Sequence, residues 1–583
     1  EPPRPMSVVA EPPPGLLQGL LRPRHGAGLY MGSLAYNPSV GVLLDPRRLD
    51  THLAVIGQTG SGKSETVKRL VAEYAWWKPA FSRGGGVVVL DVSGEYTGHP
   101  YQPPSGVTLL DAVLRPRRLC PSMAAVLSRG MWLSKAPKTI LVPYDLSTIS
   151  LSGSADRAYA KTVADFAKAI AGRYPGTRVE VLVYGRHNIY HAAPGGQPRP
   201  VGRDDAARLL RSRDALLVVA APLPDALTVE EVYALSGTRS EQLPQALTEL
   251  ADRLGVLDVE GILTVSGLNA IVDILSRLQR QKKLSSPDQL ANAAERLVSD
   301  LALAAAGGTG SPEQAIEKII EGHVDIGFVP TKALHNLLLL PHLVEQPDAP
   351  RDAAATHSAL STRWPDLSKR WEDTLRLGAR LASLELGGLH PGTRASLARA
   401  LKKVGRMVSP LLDAGQYRLL AERVYEGFTI VHLAHPSLGG TSIHVAKLLD
   451  ELYRIASTGY QPGQQTLIVV EEAHNHAPAG EETPSGRALL RIAREGRKYG
   501  LSLVLVTQRP GFVDQNVLSQ AASLIALRVT NPDDLAALRR SVESTSEEMV
   551  EKLPDLEPGQ ALISGPILPE RRIPVLARIA QLT

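Results

Sequence analysis

The sequence predicts an α/β protein with a mainly parallel β-sheet core and a large, mostly helical insertion. Short apolar runs that alternate with helical patterns carry this prediction. An apolar run at residues 53–56 leads into a Gly-rich turn, a helical pattern covers residues 65–77, and a second apolar run occupies residues 87–90. This order is typical of parallel strands joined by a crossover helix. The same alternation returns after residue 428, and helical patterns dominate much of the chain in between.

Further apolar runs predict the strands of the second part of the core. They are rich in aliphatic residues, as expected for strands that are covered on both faces. We expect buried strands at residues 428–433, 466–470, 503–507 and 524–529, and edge strands that close the sheet at residues 560–564 and 573–579.

The insertion and the N-terminal region are expected to differ from the core, which comprises residues 51–96 and 428–583. Residues 1–50 are rich in Pro and Gly and are predicted to be an irregular, extended lead-in. The first part of the insertion, residues 97–227, is predicted to be α/β. Its strand patterns lie at residues 140–144, 179–184 and 216–221.

The second part of the insertion, residues 228–427, is predicted to be helical. Helix starts are indicated at Ser286 and Ser311, where each serine is followed by Pro and an acidic residue. A Ser N-cap, a Pro in the first turn and a carboxylate near the positive end of the helix all favour a helix start.

The composition is that of an ordinary globular protein. Of 583 residues, 64 are Lys or Arg and 59 are Asp or Glu, so the net charge of +5 permits a polyanionic partner without requiring one. The aromatic content of 4% argues against extensive base-stacking surfaces. A lone cysteine, Cys120, excludes an internal disulfide and a Cys-based zinc module.

We expect membrane attachment only through a segment N-terminal to Glu1. No apolar run approaches the roughly 18–20 residues that span a bilayer. The sequence begins at Glu1 within a Pro-rich stretch, and we expect that a segment upstream of it is missing. We therefore expect a cytoplasmic protein, or one held at the cytoplasmic face of the membrane by such a segment.

A Gly-rich loop predicts a nucleotide site. Residues 57–64 match the P-loop pattern in full, with a strand before them and a helix after them. The glycines let backbone N–H groups turn toward phosphate oxygens, Lys63 reaches the β- and γ-phosphates, and the Ser64 hydroxyl binds Mg²⁺. The residues predicted to bind ATP are Gly57, Gln58, Thr59, Gly60, Ser61, Gly62, Lys63, Ser64 and Thr66.

An acidic pair predicts hydrolysis in addition to binding. Glu471 and Glu472 follow the predicted strand at residues 466–470. The carboxyl ends of parallel strands line the ligand crevice, so we expect the pair beside the P-loop. Glu471 would hold Mg²⁺ through a water molecule, and Glu472 would polarise the attacking water.

Other polar residues at predicted strand or helix ends are further candidates. Asp91 and Glu95 follow the second strand, and Gln508 follows a later one, where it could sense the γ-phosphate. Arg494 and Arg497 lie at the end of the helix after the acidic pair. An arginine is the usual group that stabilises transferred phosphoryl charge from a neighbouring subunit.

Together these motifs resemble the HerA family of DNA-translocating ATPases, within the HerA–FtsK group. The resemblance covers residues 30–96 and 428–583, and its motifs lie at residues 30–34, 44–46, 57–64, 91–96, 470–475, 495–500, 507–510, 516–520, 530–534 and 556–561. The resemblance implies a RecA-like core and a homohexameric ring, with ATP at subunit interfaces and DNA in the central channel. It also implies that Lys63, Glu472 and Gln508 have the family's roles, with Arg497 as the arginine finger and Arg494 as the alternative.

The biological setting stays open at this point. HerA proteins usually begin with a small β-barrel domain, of which at most the trailing edge is present here, and the insertion is longer than the family leads us to expect. The resemblance implies either archaeal DNA import through a membrane channel, related to conjugation-type secretion ATPases, or DNA-end processing with a NurA-type nuclease. Alternatives are a secretion-type ATPase acting on protein or pilin subunits, and a nucleotide-gated assembly scaffold. Candidate contacts to double- or single-stranded DNA are residues 277–283, Lys402, Lys403 and Arg406.

Overall fold

The computed structural model describes the sheet core and parts of the insertion. The described residues are 13–23, 28–81, 84–101, 107–114, 132–149, 152–236, 391–434, 441–541, 546–569 and 573–582, with short stretches between 244 and 272. The chain forms two compact units. One comprises Glu1–Pro224 with Leu411–Thr583, and the other comprises Asp225–Pro410.

Strands and helices follow one another along the described parts of the chain. The strands are β1 (Leu29–Leu34), β2 (Gly41–Leu44), β3 (Leu53–Ile56), β4 (Val87–Asp91), β5 (Lys138–Pro143), β6 (Val179–Tyr184), β7 (Ile189–Ala192), β8 (Arg199–Val201), β9 (Leu216–Ala221), β10 (Leu223–Asp225), β11 (Leu227–Thr228), β12 (Ile262–Leu263), β13 (Val408–Asp413), β14 (Phe428–His432), β15 (Thr466–Val470), β16 (Leu501–Thr507), β17 (Ser523–Ala526), β18 (Gln560–Ser564) and β19 (Val575–Ile579). The α-helices are α1 (Pro14–Leu20), α2 (Lys63–Phe81), α3 (Leu109–Leu114), α4 (Trp132–Lys135), α5 (Gly153–Arg173), α6 (Arg203–Arg211), α7 (Val229–Ser236), α8 (Pro391–Met407), α9 (Ala414–Glu426), α10 (Thr441–Gly459), α11 (Pro484–Glu495), α12 (Gln515–Leu518), α13 (Pro532–Ser541) and α14 (Glu547–Lys552). Short 3₁₀ helices include Pro46–Thr51, Ala473–Asn475, Gly496–Tyr499 and Pro510–Phe512.

One large sheet dominates the first unit. Among the described residues its strand order is β2-β1-β19-β18-β17-β3-β16-β15-β4-β14-β5-β9-β6-β7-β8. Every neighbouring pair from β17 to β6 is parallel. Antiparallel pairs extend the sheet on both sides of this parallel region. The predicted α/β class with a mainly parallel sheet is therefore confirmed.

The central strands are buried on both faces, which explains their aliphatic sequences. In β3, Leu53 and Val55 pack into one apolar cluster, whereas Ala54 and Ile56 pack into the other. This alternation follows from the two-residue period of a strand. All five residues of β15 are buried in the same manner. Helices on both sides of the sheet supply the covering surfaces, as parallel sheets require.

The predicted irregular lead-in is wrong for residues 29–50. These residues contain β1, β2 and the 3₁₀ turn Pro46–Thr51, and β1 pairs antiparallel with β19. Gly32 allows this pairing, because its φ is +147° and a Cβ there would lie 2.0 Å from the Arg578 carbonyl oxygen. Consequently β18 and β19 lie inside the sheet, and the prediction that they are edge strands is also wrong. The terminal strand on that side is β2.

The α/β part of the insertion continues the core sheet. β5 pairs in parallel with β14, and β9 lies between β5 and β6. The strand patterns predicted in residues 97–227 thus correspond to β5, β6 and β9. The core and this part of the insertion share one hydrogen-bonded framework.

The described parts of the second unit contain helices and short strands. They include α7, α8, and β11 paired antiparallel with β12. The helix starts predicted at Ser286 and Ser311, the basic residues 277–283 and Cys120 lie outside the described residues. No helix that the structure describes is both long enough and apolar enough to cross a bilayer.

Replacing Gly32 with alanine tests the pairing of β1 with β19. The new Cβ would meet the Arg578 carbonyl oxygen, and a positive φ disfavours any side chain. We expect a loss of about 2 kcal/mol of unfolding free energy in denaturant titrations. Gly172→Ala is the matched control, since nothing lies within 4 Å of the added Cβ in that helix. Equal stability of the two variants would contradict the β1–β19 pairing.

Candidate nucleotide site

The P-loop lies between β3 and α2 and is braced by neighbouring segments. The Gln58 N–H donates to the Arg528 carbonyl at 2.9 Å, and the Gly559 N–H donates to the Ser61 carbonyl at 2.9 Å. Gly60 and Gly62 have φ values of +80° and +97°, which glycine adopts without strain. The loop is thus held in a turned conformation ahead of the N-terminus of α2, an arrangement suited to phosphate.

Lys63 is the cation of this loop, and its partner is Glu472. Lys63 Nζ lies 2.8 Å from Glu472 Oε1, with side-chain exposures of 9% and 20%. The pair joins the residue predicted to bind phosphate to the residue predicted to polarise water. A phosphate that binds Lys63 would compete with Glu472 for the same ammonium group.

The hydroxyl groups near the loop take different places. Thr59 Oγ1 donates to Gln508 Oε1 at 2.6 Å, which links the loop to the end of β16. Ser64 is the second residue of α2 and is half-buried. The Thr66 hydroxyl donates to the Gly62 carbonyl at 2.9 Å. The Thr66 hydroxyl therefore bonds the backbone at the start of α2. The sequence predicted a role for Thr66 in ATP binding and did not predict this contact.

Glu471 is buried directly after β15. Its Oε2 accepts a hydrogen bond from the Val92 N–H at 3.0 Å and one from the Ser93 hydroxyl at 3.3 Å. Burial, together with the nearby charges of Asp91 and Glu95, raises the pKa of Glu471 to about 8. A cation beside this carboxylate would favour its ionised form, so the residue fits the predicted magnesium role.

Glu472 has an unusual backbone conformation. Its φ of +46° places it in the left-handed region, where few residues other than glycine occur. Such a conformation costs about 1 kcal/mol or more and is often found at functional sites. Glu472 Oε1 contacts Lys63, and Oε2 lies 3.3 Å from His474 Nδ1. The turn thus sets the carboxylate between two basic groups.

His474 connects Glu472 to the end of β16. Its Nδ1 also lies 3.1 Å from Thr507 Oγ1, and that oxygen accepts a hydrogen bond from the Arg509 N–H at 3.0 Å. Burial lowers the pKa of His474 below its ordinary value. The ring is therefore neutral near pH 7. Its tautomer decides whether Nδ1 donates a hydrogen bond or accepts one. Among the described residues, no three His, Cys, Asp or Glu side chains are placed to hold a metal by themselves.

Asp91 organises the loop that follows β4. Its two carboxylate oxygens accept hydrogen bonds from the Gly94 N–H at 2.8 Å and the Tyr96 N–H at 3.2 Å. Asp91 is fully buried, and burial raises its pKa to about 7. Glu95 is half-buried on the same loop, and its charge contributes to the raised pKa values of Asp91 and Glu471.

Arg497 and Arg494 lie at the opposite edge of the sheet. Arg497 is in the 3₁₀ turn Gly496–Tyr499 before β16, whereas Gln508 follows that strand. Seven strand residues separate these two edges by about 20 Å at ~3.3 Å per residue. Arg497 therefore lies far from the P-loop of its own chain. Its Nε lies 3.3 Å from Asp50 Oδ2, and its side chain is 62% exposed.

Some contacts at the site are not indicated by any pattern in the sequence. The ion pair between Asp50 and Arg497, and the bridging position of His474, depend on tertiary structure. The bracing of the P-loop by Gly559 and Arg528 had an indirect signal, since motifs at residues 556–561 and beside residue 528 were part of the resemblance.

Comparison with known proteins supports the resemblance over part of the chain. Residues 29–138 match the family model described as "Helicase HerA, central domain". The DNA double-strand break repair helicase HerA of Pyrococcus furiosus is 41% identical over 113 residues, which are 19% of this chain and 20% of that protein. A probable helicase of Methanocaldococcus jannaschii is 36% identical over 138 residues, 23% of this chain and 26% of that protein. The predicted resemblance to the HerA family is thereby confirmed for this region.

The matched segments span only about a fifth to a quarter of the length of these relatives. Among solved structures, VirB4 of Thermoanaerobacter pseudethanolicus aligns over 95% of this chain and 96% of its own, at 14% identity and a TM-score of 0.37. The genome packaging NTPase B204 of Sulfolobus turreted icosahedral virus 2, in complex with ATP-gammaS, aligns over 27% of this chain and 68% of its own, at 19% identity and a TM-score of 0.21.

Replacing Glu472 with glutamine tests the role of its carboxylate. The amide keeps the size of the side chain and loses the charge that polarises water. We expect nucleotide binding to persist while the steady-state ATPase rate falls at least about 100-fold. Glu482→Gln is the matched control, because that side chain is 72% exposed and its contact with Arg487 is at the surface. Normal turnover by Glu472→Gln would overturn this assignment.

The raised pKa of Glu471 predicts a pH-dependent stability. Its pKa is about 8 in the folded protein against an ordinary value of 4.5. Between these values the folded protein keeps a proton that the unfolded chain releases, so stability falls as pH rises. Glu471→Gln stays neutral, and its stability relative to the parent protein should grow across this range in denaturant titrations. The exposed variant Asp165→Asn should follow the parent. A stability difference between Glu471→Gln and the parent protein that does not change with pH would contradict a raised pKa for Glu471.

Proposed function

We propose that the chain is a ring-forming ATPase that uses hydrolysis to move DNA through a central channel. The observation that carries the proposal is the meeting of Lys63, Glu472 and Gln508 at one edge of the sheet, beside the P-loop. A passive nucleotide-binding scaffold has no need of a carboxylate placed to polarise water. The HerA central domain match over residues 29–138 supports a DNA motor rather than another P-loop enzyme.

ATP and Mg²⁺ are the proposed substrate and cofactor. The P-loop backbone and Lys63 would hold the phosphates, and Ser64 with Glu471 would hold Mg²⁺, Glu471 through a water molecule. Bound Mg²⁺ would neutralise charge on the phosphate oxygens. Glu472 would orient and polarise the attacking water. Gln508, joined to Thr59 at 2.6 Å, would contact the γ-phosphate from the end of β16.

The competition for Lys63 suggests how binding prepares hydrolysis. Glu472 Oε1 holds the ammonium group at 2.8 Å. A γ-phosphate that attracts Lys63 would release this oxygen for a water molecule, while Oε2 stays near His474. The same carboxylate would thus stabilise the loop before ATP binds and act on water afterwards.

The position of Arg497 supports assembly into a homohexamer. The side chain is too far from its own P-loop to contact the same phosphates, yet it is largely exposed. A neighbouring subunit in a ring could present its P-loop to this edge. Arg497 would then act as an arginine finger in trans, and Arg494, exposed one turn earlier, is the alternative.

DNA is the proposed cargo, and α8 offers a basic surface. Lys402, Lys403 and Arg406 are exposed, whereas Leu401 and Val404 on the same helix are buried. Exposed cations of this kind bind phosphate without sequence preference. The motor could act in DNA-end processing with a NurA-type nuclease, as the repair name of the Pyrococcus relative suggests. The other setting is DNA import at a membrane channel, from the cytoplasmic face.

ATPase measurements with DNA test the proposed function. We expect double- or single-stranded DNA to stimulate turnover several-fold at low salt. Replacing Lys402, Lys403 and Arg406 together with alanine should weaken DNA binding. The slope of log affinity against log salt should become shallower by about 2–3.

Arg157→Ala combined with Lys168→Ala is the control, since both cations are exposed on α5. It should leave DNA binding and its salt dependence unchanged. Lack of stimulation by either form of DNA at every salt concentration would contradict a DNA motor. Stimulation by pilin or other protein subunits instead would favour a secretion-type ATPase.

A further inference from the structure

The residues just before β3 contact the chain from α11 to β16 at two points. The first is the ion pair between Asp50 and Arg497, at 3.3 Å. The second is His52, whose Nε2 lies 2.9 Å from the Ala493 carbonyl oxygen and whose Nδ1 accepts the Leu503 N–H at 3.0 Å. Asp50 and His52 are two residues apart, and the two partners of His52, Ala493 and Leu503, lie on either side of Arg497 in the sequence.

His52 links α11 to β16 through its two hydrogen bonds. It is 4% exposed, and its φ of +58° is in the left-handed region. Because Nδ1 accepts a hydrogen bond, the ring hydrogen must be on Nε2, where it donates to the Ala493 carbonyl. Burial lowers the pKa of His52 to about 4, so the ring stays neutral and this pattern holds near pH 7.

Arg497 is the side-chain partner of the Asp50 carboxylate. One carboxylate oxygen contacts Arg497, and the other, Oδ1, is buried and lacks a hydrogen-bond donor among the described residues. Burial raises the pKa of Asp50, while the charges of Arg497 and Arg48 oppose that shift. A buried carboxylate oxygen without a hydrogen-bond donor is costly, so stability alone does not account for Asp50 at this position.

The contact leaves Arg497 able to bind a phosphate. Asp50 engages the Nε side of the guanidinium, and the side chain is 62% exposed. An arginine has five N–H donors in a planar fork, so the terminal nitrogens can still bind phosphate oxygens. A carboxylate on the Nε side would restrict the side chain to fewer rotamers and lower the entropy lost on reaching a neighbour.

The same segment leads directly to the P-loop. Asp50 and His52 precede β3, and β3 ends where the P-loop begins. β3 pairs in parallel with β16 over residues Leu53 to Ile56. A displacement of the P-loop strand along this register would therefore move the carboxylate that holds Arg497.

We infer that Asp50 is a positioning residue for Arg497, which it holds toward the neighbouring subunit and ties to the strand carrying its own subunit's P-loop. This inference rests on the proposed function, in which Arg497 acts in trans. It extends that function by giving a route through which the nucleotide site of one subunit affects the finger offered to the next.

Asp50→Asn in the full chain tests the inference. The amide keeps the shape of the side chain and removes the charge that holds the guanidinium. We expect kcat for ATP to fall about tenfold with little change in KM, because the finger is misplaced while the P-loop of the same chain is intact. Asp50→Glu keeps the charge and should recover part of the rate. Asp165→Asn, which removes an exposed ion pair with Lys161, should match the parent protein.

A double variant separates positioning from a general structural effect. If Asp50 acts through Arg497, then Asp50→Asn should cause no further loss in an Arg497→Ala background. A tenfold loss in both backgrounds, or a large rise in KM, would refute the inference. Denaturant titration of each variant checks that the fold is retained.

The same experiment distinguishes the failure of the inference from that of the proposed function. Arg497→Ala alone should lower kcat by about 1,000-fold or more if it is a finger. If Arg497→Ala has no effect, the proposed trans role itself fails. If Arg497→Ala is impaired while Asp50→Asn matches the parent, only the role of Asp50 is wrong.

Discussion

Parallel pairing of the central strands is the constraint on which the rest of the structure depends. In the order β17-β3-β16-β15-β4 all strands run in one direction, with Ile56 opposite Thr507 in register. Their carboxyl ends therefore meet at one edge of the sheet. The P-loop, the acidic pair and Gln508 come from distant parts of the sequence and lie together there because each directly follows one of these strands. The opposite edge collects the residues that precede the strands, including Asp50 and Arg497.

The polar residues at the carboxyl ends of the strands lower the stability of the fold. Glu471 and Asp91 are buried carboxyl groups, and burial raises both of their pKa values. Glu472 adopts a left-handed backbone conformation that most residues avoid. These features do not stabilise the fold by themselves. In the proposed function, cations and phosphates at the site would offset their cost, which is the balance expected of a site for binding and catalysis.

The sequence predicted the parts of the structure that have local signals. The P-loop, the acidic pair and the central strands follow from short patterns, and the structure places them within a few residues of the predicted bounds. The hairpin of β1 and β2 was missed because its strands are short and Gly- and Pro-rich segments surround them. Its pairing with β19 depends on Gly32, whose role is visible only once Arg578 is placed beside it. The contact between Asp50 and Arg497 could not be predicted, since no sequence pattern links residues so far apart.

A mixing experiment tests the central claim that each nucleotide site is shared between two subunits. Lys63→Ala subunits would lack a working site but keep an intact Arg497, and Arg497→Ala subunits would lack the finger but keep an intact site. Each variant alone should be nearly inactive. When the two are mixed and allowed to exchange subunits, we predict that ATPase activity returns, because some sites then combine an intact P-loop with an intact finger. Activity that never exceeds the sum of the separate variants, in rings shown to contain both, would contradict it.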